Sequence, residues 1–244
     1  MFKLELHDNS IFKTIFKSIS SIIDEVVFEC DEEGMRLRAL DRSHITFIQL
    51  DLQSELFTEY ICDTPEKISI DTLEFMKVLD RCKNNDVLIL TTDEGNLILT
   101  FSGDATRTFR IKLIDLEYES PQPPALDYNT CIELPTDILK DAMADIEVFG
   151  DKITIKTDED YIIFNNEGEF GDTEMKYLHG QTITESTRSV FAIEKLKDIM
   201  KASKISDMID LYLGNDKPLT IDFEIGNSEG KLSFLLAPRI EEDE

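Results

Sequence analysis

Ile70-Asp71-Thr72-Leu73-Glu74-Phe75-Met76-Lys77-Val78-Leu79-Asp80-Arg81-Cys82 is the stretch that decides the fold, because it occurs twice in kind. Phe75, Val78 and Leu79 stand at i, i+3 and i+4, an apolar stripe of helical period. A strand pattern follows at Val87–Leu90. In the second half, Ile193-Glu194-Lys195-Leu196-Lys197-Asp198-Ile199-Met200-Lys201-Ala202-Ser203 carries the same stripe at Leu196, Ile199 and Met200, and a strand pattern again follows, at Ile209–Leu213. Each half then adds a strand pair, Leu97–Phe101 with Phe109–Leu113 and Leu219–Ile225 with Leu232–Leu236.

Working outward, each half also opens with a strand and a helix. The first helix is expected over about Ser10–Ile23; its counterpart follows Pro135-Thr136-Asp137, residue types typical of a helix start. Val26–Glu29, Met35–Ala39, Ile45–Leu50, Ile153–Lys156 and Tyr161–Phe164 read as further strands. Two helices among many short strands, repeated, predict two similar α+β domains with sheets on one side and paired helices on the other. Between the halves lies Glu119-Ser120-Pro121-Gln122-Pro123-Pro124-Ala125, with three of the seven prolines. Proline fixes φ and removes a donor, so this is an extended connector. The expected division is 1–115, a connector over 116–131, and 132–244.

The 244 residues carry 25 Lys+Arg against 51 Asp+Glu, a formal charge of −26. That excludes a protein whose whole surface attracts nucleic acid, and a basic membrane-surface protein. With 41% hydrophobic residues the chain also escapes the disordered class. Four cysteines, at 30, 62, 82 and 131, form no CxxC pair and read as buried apolar residues in a reducing compartment. Met1–Asp8 lacks the apolar stretch of a signal peptide, and no run approaches the ~18 apolar residues of a membrane span. A cytoplasmic chain with no membrane partner is expected.

Against so many acids, the placement of the bases is informative. Lys13 and Lys17 lie one turn apart, away from the face shared by Ile11, Phe12, Ile15, Phe16, Ile19, Ile22 and Ile23, and no acid occurs between Ser10 and Ile23. Lys77 and Arg81 repeat that spacing, as do Lys197 and Lys201, with Lys195 and Lys204 nearby. The third helix is poorest, Lys140 being opposed by Asp137, Asp141 and Asp145. Any one such face is an ordinary solvated face. Recurring on the helices of an acidic chain, they predict a helical surface that meets phosphates. Lys and Arg supply the sequence-independent part of nucleic-acid affinity, and without interleaved aromatics, backbone contact rather than base reading is expected.

Catalytic signatures are sparse. There is no G-x-G-x-x-G or Walker A stretch, and His7, His44 and His179 are isolated, with no metal-binding spacing. Asp158-Glu159-Asp160 reads as a polar turn before Tyr161–Phe164. A non-enzymatic binding role without cofactor is favoured; a metal-dependent nuclease built on acidic clusters is the enzyme alternative.

Three stretches resemble one family. Leu37-Arg38-Ala39-Leu40-Asp41-Arg42-Ser43-His44-Ile45 resembles the front-face strand and loop of proliferating cell nuclear antigen, the sliding clamp of archaea and eukaryotes. Phe109-Arg110-Ile111-Lys112-Leu113-Ile114-Asp115-Leu116 is similar to that family's edge strand leading into its connector, and Leu236-Ala237-Pro238-Arg239-Ile240-Glu241-Glu242-Asp243-Glu244 to its C-terminus. The compact length and short acidic tail look archaeal.

The resemblance implies a homotrimeric ring of six domains around duplex DNA, sheets outside and helices inside. Such a ring tethers DNA polymerase, is loaded by a clamp loader and recruits replication and repair proteins through short interacting peptides. Carried over, the peptide groove comprises Leu40, His44, Ile45 and Phe47, with Pro124 and Tyr128 from the connector, and Pro218, Leu235, Ala237, Pro238 and Ile240. The family often has an aromatic residue where Leu235 stands, and the connector here is richer in proline than usual. The subunit interface pairs a strand around Thr108–Leu113, including Phe109 and Ile111, with one around Glu174–Leu178, including Met175 and Tyr177. Arg81, Lys83 and Arg107 would meet Asp141 and Asp145 across it, which leaves Arg81 open between the interface and DNA. A subunit of a heterotrimeric or checkpoint clamp of the same fold is the alternative within the family.

Overall fold

The computed structural model describes residues 1–239 apart from 117, 118, 129 and 184. The order is β1 (Phe2–Leu6), α1 (Ser10–Ser20), β2 (Glu25–Asp31), β3 (Gly34–Leu40), β4 (Thr46–Gln53), β5 (Glu59–Cys62), β6 (Glu66–Asp71), α2 (Thr72–Leu79), β7 (Val87–Asp93), β8 (Asn96–Ser102) and β9 (Thr106–Lys112). It continues with β10 (Thr130–Pro135), α3 (Thr136–Ile146), β11 (Lys152–Thr157), β12 (Tyr161–Glu167), β13 (Asp172–Leu178), β14 (Thr187–Ala192), α4 (Ile193–Ile199), β15 (Met208–Leu213), β16 (Leu219–Ile225) and β17 (Gly230–Leu236). With β5 set aside, the repeat is complete. The neighbour order β1-β7-β8-β9 is matched by β10-β15-β16-β17, and β4-β3-β2-β6 by β13-β12-β11-β14.

Two compact units result. The first holds residues 1–42, 48–122 and 224–232; the second holds 43–47, 123–223 and the chain from 233. The division runs through β4, β16 and β17. In the first unit Gln53 N–H donates to Glu229 O at 2.9 Å, and in the second Ala237 N–H donates to Ile45 O at 2.9 Å. Both bonds belong to the pairing of β4 with β17.

Each unit buries the apolar stripes of its helices. In the first, Phe16 lies 4.6 Å from Phe12, 4.6 Å from Phe75 and 5.3 Å from Phe28, ring centre to ring centre, joining α1, α2 and β2. In the second, Leu139 and Ile146 of α3 and Leu196 and Ile199 of α4 are fully buried. The helix starts are held alike: Thr72 N–H donates to Asp24 O at 2.8 Å and Ile193 N–H to Asp151 O at 3.0 Å.

Three expectations are corrected. The first helix ends at Ser20, not Ile23. Its serines donate back to the main chain, Ser18 to Ile15 O at 2.7 Å, Ser20 to Lys17 O at 3.2 Å and Ser21 to Ser18 O at 2.7 Å. Such bonds compete with the helical ladder. Residues 70–82 hold more than a helix. Ile70 is a buried strand residue paired with Val26, and Asp71 caps the helix by accepting Glu74 N–H at 2.8 Å, so strand passes to helix with no turn residue between. Finally, Cys131 is exposed while Cys30 and Cys82 are buried. Residue 131 falls on the outer side of the alternation in β10, between buried Thr130 and Ile132. Among the described residues, no helix is long and apolar enough to cross a membrane.

Candidate functional site

The helix bases do not form one uniform class. Lys17 and Lys204 are exposed and, among the described residues, make no ion pair. Lys77 pairs with Glu74 at 2.5 Å, Lys140 with Asp137 at 2.9 Å, Lys201 with Asp198 at 2.7 Å and Lys197 with Glu147 at 2.7 Å. Arg81 is exposed at the end of α2, and Lys195 is half-buried. Lys13 is half-buried and donates its ammonium to Cys82 O. For these bases, exposed positive charge without an ion pair among the described residues therefore falls at Lys17 on α1, at Arg81 just beyond α2 and at Lys204 beyond α4. The α3 face is acidic, with Asp141 and Asp145 exposed.

The loop carrying His44 and Ile45 leads into β4. His44 sits in the left-handed region at φ 58°, one of the few places a non-glycine residue adopts it. Ile45 is 37% exposed although large and apolar, and its carbonyl holds Ala237 N–H. Leu235, Ala237, Pro238 and Pro218 are half-buried, and Pro124 is exposed. Tyr128 is fixed through its hydroxyl, 2.7 Å from Thr220 Oγ1, and through its ring against Tyr212 at 5.8 Å. Burial pushes the Tyr128 hydroxyl pKa up, so it stays neutral. Phe47 is only 5% exposed. It lies on the side of β4 shared by Gln49 and Asp51, opposite Ile48, Leu50 and Leu52, and is covered there, between buried Thr46 and Ile48, rather than forming an open groove wall. Leu40, in the first unit, is 39% exposed. Ile240 lies outside the described residues. The chain leading to it is tied down: Arg239 N–H donates to Val190 O at 2.7 Å, and its guanidinium meets Asp151 at 2.9 Å. That guanidinium holds the Asp151 carboxyl below the usual carboxylate range.

Two strands end their sheets in a shared manner. β9 and β13 alternate half-buried with exposed residues along their whole length. The inner set is Arg107, Phe109 and Ile111 on β9, and Thr173, Met175 and Tyr177 on β13. Leu113 N–H donates to Gly95 O at 2.9 Å, so on β9 the odd-numbered amides face β8 and those of Thr108, Arg110 and Lys112 point away. His179 N–H donates to Asp160 O at 3.1 Å, which by the same parity leaves the amides of Glu174 and Lys176 pointing away from β12. In the repeat, β9 stands where β17 stands and β13 where β4 stands, and β17 neighbours β4. The β9 edge carries Arg107, Arg110 and Lys112 with no acid; β13 carries Asp172 and Glu174 with Lys176. Arg107 is pinned within its own unit, to Asp86 and to Arg81 O, whereas Lys83 is exposed.

Sequence reasoning missed the apolar side chains beside β13. Phe170 is 84% exposed and Phe149 is 42% exposed, its ring lying against the place a side chain at Gly171 would occupy. A phenylalanine isolated in a Gly-Glu-Phe-Gly turn was the available signal. Missed too was buried Asp86, which holds the turn before β7. Asp158 does form the expected polar turn: its carboxylate accepts Tyr161 N–H at 2.7 Å and Asp160 N–H at 2.9 Å, which hold it below its usual pKa.

Comparison with known proteins divides the chain once, in the connector, one residue from the break at 122 between the two units there. Residues 1–121 match the N-terminal domain, and residues 122–239 the C-terminal domain, of proliferating cell nuclear antigen. A DNA polymerase sliding clamp from Methanothermobacter thermautotrophicus is 54% identical over 244 residues, all of both chains. One from Thermococcus gammatolerans is 37% identical over 238 residues, 95% of each. The crystal structure of Proliferating Cellular Nuclear Antigen from Entamoeba histolytica superimposes with a TM-score of 0.91 at 25% identity, covering 98% of this chain and 99% of that one. With a doubled α+β repeat whose neighbour order is the same in both halves, and with relatives similar from end to end, this chain belongs to the proliferating cell nuclear antigen family.

Proposed function

We propose that this chain assembles with two copies of itself into a ring that encircles duplex DNA and tethers a polymerase to it. One observation carries the reading. The pairing of β17 with β4 is available a second time, between β9 of one copy and β13 of the next, because these strands occupy the same places in the repeat. A head-to-tail contact of this kind generates a closed ring when its rotation closes, and it removes both exposed sheet edges. The basic β9 edge and the more acidic β13 edge of one chain complement each other, which favours self-assembly over a heteromeric ring. The test is solution mass: near three times 28.0 kDa is expected, and a strict monomer at micromolar concentration would sink the reading.

Lys17 and Lys204, with the paired Lys77, Lys140, Lys197 and Lys201 and half-buried Lys195, face the duplex. They meet its phosphates loosely, which leaves the ring free to slide. Lys17→Glu combined with Lys204→Glu is expected to lower polymerase stimulation on primed circular DNA roughly tenfold at moderate salt, with the ring mass unchanged. Stimulation equal to the parent's would remove these two lysines from that role.

The groove of the second unit takes the interacting peptide of a partner protein. Ile45, Leu235, Ala237 and Pro238 offer apolar contact to a short helical turn with aromatic anchors. Ile45→Asp is expected to raise the peptide dissociation constant by about tenfold or more, measured by fluorescence anisotropy. Tight binding by the variant would move the groove elsewhere. The role needs no chemistry of the chain's own; incubation with labelled DNA and Mg²⁺ is expected to leave the DNA intact.

A further inference from the structure

We infer that Lys13 is a positioning residue for the β9 edge rather than a free cation of the helix lining, an inference that rests on the proposed part of β9 in ring closure. The turn between α2 and β7 presents Arg81 and Lys83 beside that edge. Its amides bond locally, Arg81 N–H to Val78 O at 2.9 Å, Cys82 N–H to Leu79 O at 3.0 Å and Asp86 N–H to Lys83 O at 3.0 Å, whereas its carbonyls are held by side chains from outside it. Asn9, fully buried at the start of α1, donates both hydrogens of its amide nitrogen, to Lys83 O at 3.0 Å and to Asp86 O at 2.9 Å. Arg107 of β9 donates to Arg81 O at 2.9 Å and also to the Asp86 carboxylate. That same carboxylate, buried, accepts Lys83 N–H at 2.7 Å. Lys13, one turn along α1 from Asn9, closes the remaining position by donating to Cys82 O. Three consecutive carbonyls, at 81, 82 and 83, are thus fastened by Arg107, Lys13 and Asn9 in that order.

The second repeat supplies an internal control. There the corresponding junction is made by Thr136, whose N–H donates to Asp207 O at 2.8 Å and whose hydroxyl donates to Ser206 O at 2.8 Å. Among the described residues no lysine of α3 reaches that turn. The clasp belongs to the repeat whose last strand ends its sheet unpaired, and it joins α1 to that strand. Half-buried with its ammonium committed to a carbonyl, Lys13 is poorly placed to meet a passing phosphate. Lys17, one turn on, is exposed and uncommitted.

The test uses the full chain with Lys13→Met, which keeps the alkyl stem and removes the donor, and Lys13→Arg, which restores one. Lys13→Met is expected to raise the dissociation constant of self-assembly about tenfold on dilution. It is also expected to speed amide hydrogen exchange over residues 81–86 while β1, β7 and β8 stay as protected as in the parent. Lys13→Arg is expected to recover both, and Lys17→Met to change neither. General destabilisation would instead speed exchange throughout; Lys13→Gln then repeats the comparison with a milder change. Lys13→Met that assembles like the parent and loses only DNA-dependent stimulation would overturn the inference. Should the parent itself be a monomer, the ring reading falls, and unchanged exchange over 81–86 would still overturn the clasp.

Discussion

A chain carrying Arg110→Pro is expected to fold and to run in solution at 28.0 kDa, where the parent, on the proposed ring, is expected near three times that mass. Proline removes an amide and is tolerated in a sheet only where that amide faces away from a neighbour. On β9 the amide of Arg110 is such a one, since the bond from Leu113 N–H to Gly95 O assigns the odd-numbered amides to β8. The fold of the subunit should therefore survive, as a parent-like circular dichroism spectrum and a single cooperative thermal transition would show, the midpoint falling only by what association contributes. Addition of a second strand should not survive, because it needs that amide and the space the ring of proline fills. A loss of at least a hundredfold in the assembly constant, about 3 kcal/mol, is expected. Lys176→Pro on β13 makes the mirror case. Each variant keeps one intact edge, so an equimolar mixture is expected to give a species near twice 28.0 kDa and nothing larger. Trimers of either variant alone would show that these strands do not carry the contact.

Phe16→Ala is expected to destabilise the chain by about 3–5 kcal/mol, the usual range for emptying a buried phenylalanine site. Domains of this kind have only about 5–15 kcal/mol in hand. Phe16 is 1% exposed and touches the rings of Phe12, Phe28 and Phe75. Its removal takes the shared contact from α1, α2 and β2 at once. Urea unfolding followed by tyrosine fluorescence and far-ultraviolet dichroism measures the loss. Lys17→Ala on the same helix, exposed and unpaired, should stay within about 0.5 kcal/mol of the parent. A Phe16→Ala value that small would mean the aromatic seam is not what holds the two helices down.

What could be read from the residues follows the range of the forces involved. The helix stripes at Phe75, Val78, Leu79 and at Leu196, Ile199, Met200, and the strands after them, were legible because burial acts at fixed periods along the chain. β5 and β6 leave no such mark, and Ile70 heads the stretch that carries the helical stripe although it is strand. There a strand passes directly into a capped helix, and the cap bond from Glu74 N–H to Asp71 leaves no mark in hydropathy. The family resemblance named a site more finely than the side chains arrange it. Ile45 and Leu235 stand at the surface of the second unit, yet Phe47 is core. The bases stood out as a pattern, but their partners were invisible: nothing in the spacing of Lys13 says that its ammonium meets the carbonyl of Cys82, far off in the chain.

The acids one turn from the helix lysines have a consequence for motion. Lys77 with Glu74, Lys140 with Asp137 and Lys201 with Asp198 each present opposite charges only 2.5 to 2.9 Å apart. At separations beyond that spacing, such a pair acts as a dipole, whose field fades faster than that of a lone charge and is screened further by salt within about 8 Å. A duplex threaded past these helices would meet shallow ripples rather than a row of deep wells. The spacing between successive phosphates would then set no strong stepping length, and diffusion along the helix axis would be nearly free of friction from the lining itself.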